Sequence, residues 1–162
     1  MASILILGGV IPLSGALIAQ YGFGLRPCHF CILERWPYLV VIVAGVLSLV
    51  VKRGALVWRA LVALGIYALF VTSILGLIHT GIEQKWLAYV GGCVAQAPAD
   101  GSLEALRAAI AGAPLVACDE AALVVLGLSM ASWNSLWALF VIALISLQYR
   151  FDRRRYETQF TR

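Results

Sequence analysis

Charged and apolar positions fall in separate blocks along the chain, leaving uncharged stretches at residues 1–25, 36–51, 60–82 and 121–149. A bilayer core about 30 Å thick takes about 20 helical residues, and three of the four stretches hold that length. The second has only 16 residues, but Arg35 and Lys52 bound it, and their aliphatic stems can lie along a helix while the charges reach the headgroups. The pattern predicts an all-α integral membrane protein, a four-transmembrane-helix bundle forming a single membrane domain over residues 1–162. The expected spans are about 4–21, 33–51, 58–79 and 133–149, with external loops of about 22–32 and 80–132. Gly22, Gly24 and Pro27 break the first helix. In the second loop Asp100, Gly101 and Ser102 precede Leu103, Leu106 and Ile110 at helical spacing, and Gly112 and Pro114 form a stop, so a short amphipathic helix is expected there. Ala121–Met130 is apolar and is expected to pack at the membrane interface. Gly8, Gly9, Gly15, Gly45 and Gly65 are expected to let helices approach closely.

Composition agrees: 62% hydrophobic against 12% charged residues excludes an ordinary soluble domain. The net charge of +4 does not indicate nucleic acid as a partner, because the basic residues sit at the ends of apolar segments and form no aromatic-interleaved patch. They report topology instead. Lys52, Arg53 and Arg59 lie between spans two and three, and Arg150, Arg153, Arg154, Arg155 and Arg162 lie in the tail, so both termini are expected to be cytoplasmic. Glu83, Asp100, Glu104, Asp119 and Glu120 outnumber Lys85 and Arg107 in the opposite segment. Residues 1–25 lack a basic n-region and exceed the usual 7–15 apolar residues of a secretory signal, and are taken as the first span.

All four cysteines, Cys28, Cys31, Cys93 and Cys118, fall in the two external segments. Thiols are not held reduced outside the cytoplasm, and an even count there favours disulfide chemistry. Four cysteines allow three pairings. Cys28-His29-Phe30-Cys31 is the motif of thiol–disulfide oxidoreductases; taking it as one pair leaves Cys93 to Cys118, an inference from the motif. Cys31 is expected near a helix N-terminus, where exposed N–H groups and the dipole favour a thiolate, with Arg35 one turn deeper on the same face. Taken alone, Cys93 and Cys118 also fit a static staple, and Arg35 an interfacial anchor. Phosphate loops, a Ser/His/Asp arrangement and zinc-protease motifs are absent from the sequence.

The run Cys28-His29-Phe30-Cys31-Ile32-Leu33-Glu34-Arg35-Trp36-Pro37, His79 at the end of span three, the second cysteine pair and Leu126–Asn134 before span four together resemble the DsbB family. The resemblance covers essentially the whole chain. It implies an enzyme of the bacterial inner membrane, a protein-dithiol:quinone oxidoreductase. Such an enzyme reoxidises a DsbA-like periplasmic thiol oxidase and passes the electrons to a quinone, ubiquinone or menaquinone. It further implies that Cys93 is attacked by the partner's thiolate, with Cys118 released, and that Cys118 then attacks Cys28. Cys31 would face the quinone with Arg35 and His79, and Leu123 and Met130 would supply apolar wall. Leu123 stands where DsbB proteins can carry a tryptophan beside the quinone.

Two other classes stand beside this one. A vitamin K epoxide reductase-like enzyme also joins four helices, cysteine pairs and a quinone, but its redox motif is expected near the last core helix, whereas here it precedes span two. A metal-binding membrane protein using four thiolates, or thiolates with His29, is disfavoured because zinc sites usually draw on two close pairs. No resident metal is expected.

Overall fold

The computed structural model describes residues 1–88, 102–104, 107, 118–119 and 121–160, the last eight by their backbone alone. Helix α1 (Ala2–Leu17) continues into a π-helical turn, Ile18–Gly22. A short α2 (His29–Leu33) leads into α3 (Arg35–Val50), followed by α4 (Leu56–Glu83). Strands β1 (Val124–Val125) and β2 (Leu128–Ser129) form a hairpin before α5 (Met130–Phe160). Among the described residues, four helical segments are long and apolar enough to cross a membrane: Ala2–Gly22, His29–Val50, Leu56–Glu83 and Met130–Asp152. Leu7, Val43, Val46, Leu49, Tyr67, Phe70, Leu77 and Phe140 are exposed, as lipid-facing side chains are in a bundle of this kind.

Around the bundle α1 packs on α3, α3 on α4 and α4 on α5, while α1 touches α5 less extensively. Leu5, Val41, Leu69, Val141 and Ile145 meet at the centre of one end. Close approach there depends on missing side chains. A Cβ on Gly45 would lie 2.8 Å from Ile6 Cγ1 and 3.1 Å from the Ile6 backbone nitrogen, too near for either to stay in place. Gly15 departs from the expectation, having nothing within 4 Å of where its Cβ would be.

Element ends differ from those expected, for local reasons. The second span starts at His29 and is interrupted at Glu34, where Pro37 has no N–H for the Leu33 carbonyl and its ring crowds that carbonyl, disrupting the ladder between α2 and α3. The third reaches Glu83 and the fourth begins at Met130, both past the expected limits. Within the stretch expected to pack at the interface, Leu126 and Gly127 have φ of 53° and 79°. Positive φ at both central residues is what a two-residue type I′ turn requires, and it makes the hairpin. Met130 N–H donates to the Leu123 carbonyl and Trp133 Nε1–H to the Val125 carbonyl at 2.9 Å, tying the hairpin to α5. The amphipathic helix expected between Ser102 and Ala111 falls largely outside the described residues.

Inside α1, Pro12 likewise leaves the Gly8 carbonyl without its helical donor. Trp137 of α5 fills the gap, its Nε1–H donating to Gly8 O at 2.9 Å. A proline inside a span is tolerated when a neighbouring helix re-satisfies the freed group in this way.

Candidate functional site

The first cysteine pair is built by the start of α2. Cys28 is the N-cap, with extended backbone, and its sulfur accepts the Cys31 N–H at 3.3 Å. That contact turns the two side chains together, and the Cys28 thiol donates to Cys31 Sγ at 3.1 Å. Cys28 is thus the protonated partner: its pKa is pushed up to about 12, first by this hydrogen bond to the Cys31 sulfur and then by burial. Both are free thiols.

Helix α4 brings His79 to the pair, with Nε2 3.4 Å from Cys28 Sγ. Its ring stacks on Phe30, centroids 5.5 Å apart. The other ring nitrogen, Nδ1, lies 2.9 Å from Glu34 Oε1. A carboxylate only accepts, so Nδ1 carries the proton and Nε2 is turned to the sulfur. Glu34 is buried and is itself fixed, its Oε2 accepting from Asn134 Nδ2 at 2.8 Å. Asn134 Oδ1 accepts from the Tyr38 hydroxyl, and Thr72 Oγ1 donates to the Glu34 carbonyl at 3.2 Å. Four elements therefore position one imidazole. Glu83, one turn beyond His79, places Oε1 3.8 Å from Nε2, while its Oε2 is buried with no hydrogen-bond partner.

Beside this network lies a cavity of about 410 Å³ between α1 and α5, the neighbouring helices that touch least. Cys31, Arg35, His79, Leu123 and Met130, the residues singled out in the sequence for a cofactor, all line it, as do Glu34, Tyr38, Gly15, Trp133 and Trp137. Arg35 Nη1 donates to Gln20 Oε1 of the π-helical turn at 2.6 Å, which holds the guanidinium at the cavity wall. Arg35 Nε is buried and unpartnered.

Cys118 is fully buried in a cluster with Cys28, Phe30 and Ile82, against which Cys31 also packs. The fold thus gathers three of the four cysteines. Cys93 lies outside the described residues. His29 is exposed at the edge of Phe30, away from the sulfurs. Glu34, Asn134, Tyr38, Gln20 and Glu83 received no role from the sequence. Glu34 carried a faint signal, as an acid at the edge of a predicted span; Asn134 carried one as a polar break in an apolar run.

With this geometry in place, the relatives of the chain can be compared. Residues 1–148 match the family described as disulfide bond formation protein DsbB. The uncharacterized protein RP370 of Rickettsia prowazekii (strain Madrid E) is 27% identical over 146 residues, 89% of this chain and 83% of that protein. Disulfide bond formation protein B of Haemophilus influenzae (strain ATCC 51907 / DSM 11121 / KW20 / Rd) is 31% identical over 72 residues, 44% of this chain and 41% of that protein. No solved structure gives a significant match. A match running from the first residue to the end of the fourth apolar segment, over a four-helix membrane bundle with a Cys-x-x-Cys pair at its cavity, makes the chain a member of the DsbB family.

Proposed function

We propose that the protein reoxidises a DsbA-like periplasmic dithiol oxidase and passes the electron pair through its two cysteine pairs to a membrane quinone, from the periplasmic side of the bacterial inner membrane. The observation that carries this reading is the gathering of Cys28, Cys31 and Cys118 in one cluster whose Cys31 lines the cavity.

The partner's thiolate attacks Cys93 of a Cys93–Cys118 disulfide, forming a mixed disulfide and releasing Cys118. The partner's second thiol then breaks the mixed disulfide, leaving the partner oxidised and Cys93 reduced. Cys118 attacks Cys28 of a Cys28–Cys31 disulfide and frees Cys31. Cys93 closes back on Cys118 and frees Cys28, so one electron pair and its two protons now reside on the first cysteine pair. The cavity suits a quinone ring: its walls are largely apolar, and the unpartnered Arg35 Nε supplies a donor for a ring oxygen. A bound quinone takes up two electrons and two protons. Cys31 Sγ, in the cavity wall, would deliver the pair as Cys28 closes the disulfide; the Cys28 proton would turn from Cys31 Sγ to His79 Nε2, whose imidazole Glu34 holds in place, and pass on with the Cys31 proton to the two quinone oxygens. Leu123 and Met130 supply apolar wall to the cavity.

The test incubates the purified chain with reduced DsbA-like oxidase and, in turn, ubiquinone and menaquinone, following quinone absorbance. Turnover with either is expected. Cys31→Ser should abolish quinone reduction, and Cys93→Ser should stop oxidation of the protein partner; full turnover by Cys31→Ser defeats the assignment.

A further inference from the structure

Cys28 Sγ, Cys31 Sγ and His79 Nε2 all lie within 4.8 Å of one another, although the histidine comes from a different helix. We propose that the reduced Cys28–Cys31 pair and His79 form a site for one thiophilic d¹⁰ cation of the zinc type, present in the dithiol state and abolished by the disulfide. The sequence argued against a metal because Cys93 and Cys118 are far apart, but the fold supplies a third donor from α4 instead.

Two thiolates and an imidazole are a donor set that zinc accepts, with a fourth position left for water or a carboxylate. Glu83 lies close by, one oxygen 3.8 Å from His79 Nε2 and the other buried without a partner, but outside the group of three donors. The surroundings also match those of a metal-bound histidine, which characteristically donates its second ring N–H to a carboxylate. Here Glu34 Oε1 takes that role at 2.9 Å and is anchored in turn by Asn134. The sulfurs, 3.1 Å apart, must separate to about 3.7 Å for tetrahedral coordination with Zn–S bonds of about 2.3 Å. Cys31, only partly buried at the cavity, has room to move that far. Binding changes no oxidation state. Each thiol surrenders its proton to solvent as its sulfur becomes a ligand, so uptake is favoured by higher pH. The disulfide removes two of the three donors, so metal binding and electron delivery exclude each other. That the cation blocks turnover rests on the function proposed above, but its binding does not.

The experiment uses full-length protein in detergent, reduced and desalted, with Co²⁺ as the coloured stand-in and Zn²⁺ affinity read by competition with a chromophoric chelator. One Co²⁺ per chain with a sulfur-to-cobalt charge-transfer band is expected in the dithiol form and none after oxidation, a comparison that needs no substitution. The band should survive Cys93→Ser combined with Cys118→Ser. Zn²⁺ affinity should fall at least about 100-fold in His79→Ala and about tenfold in Glu34→Gln, the latter because Glu34 orients the ligating imidazole without touching the metal. No band in the dithiol form, equal uptake by the oxidised form, or unchanged affinity in His79→Ala overturns the proposal. Quinone reduction without metal uptake leaves the electron relay standing and removes only the metal site.

Discussion

At one end of the bundle Leu5, Val41, Leu69, Val141 and Ile145 fill the space between helices, and Gly45 and Gly65 let backbones and side chains meet without a gap. At the other end the same four helices bury Glu34, His79 and Thr72 and leave a cavity of about 410 Å³. The first arrangement needs only shape, and any well-fitting apolar set would serve. The second needs every polar group paired, because an unpaired buried donor or acceptor costs about 1–3 kcal/mol. Glu34 meets that demand with both oxygens occupied, whereas Arg35 Nε and Glu83 Oε2 do not. These two unpaired atoms belong to residues lining the cavity, which is where a ligand would satisfy them.

The largest expected effect concerns the cysteine at the polar end. A thiol whose pKa is pushed up to about 12 stays protonated below that pH, so in the dithiol form Cys28 should be almost inert to iodoacetamide at pH 7. Its alkylation should then rise about tenfold per pH unit, or about a thousandfold between pH 7 and 10, because only the thiolate reacts. Mass spectrometry of the modified peptide measures this, and a rate that levels off near pH 9 would mean that Cys31 and burial do not hold the proton. Next in size is His79→Ala. Loss of a positioned proton acceptor should lower quinone-dependent turnover by about 10²- to 10⁴-fold. The same change leaves Glu34 Oε1 without its partner, so the melting temperature must be measured beside the rate. A rate loss no larger than the loss of folded protein would reduce His79 to a structural residue.

The two ends were not equally legible. Long uncharged blocks imply spanning helices whatever the neighbours are, and Cys28-His29-Phe30-Cys31 declares its chemistry within four residues. The polar network is different in kind. Glu34 sits at a block boundary and reads as a headgroup charge, and Asn134 reads as an interruption before the fourth span. Only packing of α3, α4 and α5 turns them toward the same imidazole. Arg35 was expected one turn below Cys31, but its meeting with Gln20 of the π-helical turn, a residue of another span, had no signal in the sequence. The hairpin escaped because its turn places Leu126, a residue with a Cβ, at positive φ, and Gly127 alone is a faint signal.

A pair of glycine substitutions separates the two regions directly. Gly45→Leu overpacks the apolar end against Ile6 and should cost about 1–3 kcal/mol, read as a lower midpoint of denaturation in detergent. Gly15 lines the cavity and a Cβ there would have no protein atom within 4 Å, so Gly15→Leu should leave that midpoint unchanged and raise the quinone KM instead. Equal destabilisation by both would mean that the cavity is packing space rather than a ligand site.

The smallest effect is expected where the two regions join. Trp137 lines the cavity with its ring and, through Nε1–H, supplies the hydrogen bond that Pro12 denies to the Gly8 carbonyl. Trp137→Phe keeps most of the ring and deletes the donor, leaving Gly8 O unpaired in a setting without water. Hydrogen bonds between membrane helices average about 0.6 kcal/mol in double-mutant cycles, so a loss near that size is expected. Pro12→Ala restores an N–H to the α1 ladder. If the bond from Trp137 compensates the proline, Trp137→Phe should cost less in the Pro12→Ala background than in the native one. An equal cost in both backgrounds would mean that the indole stabilises the seam through its ring alone.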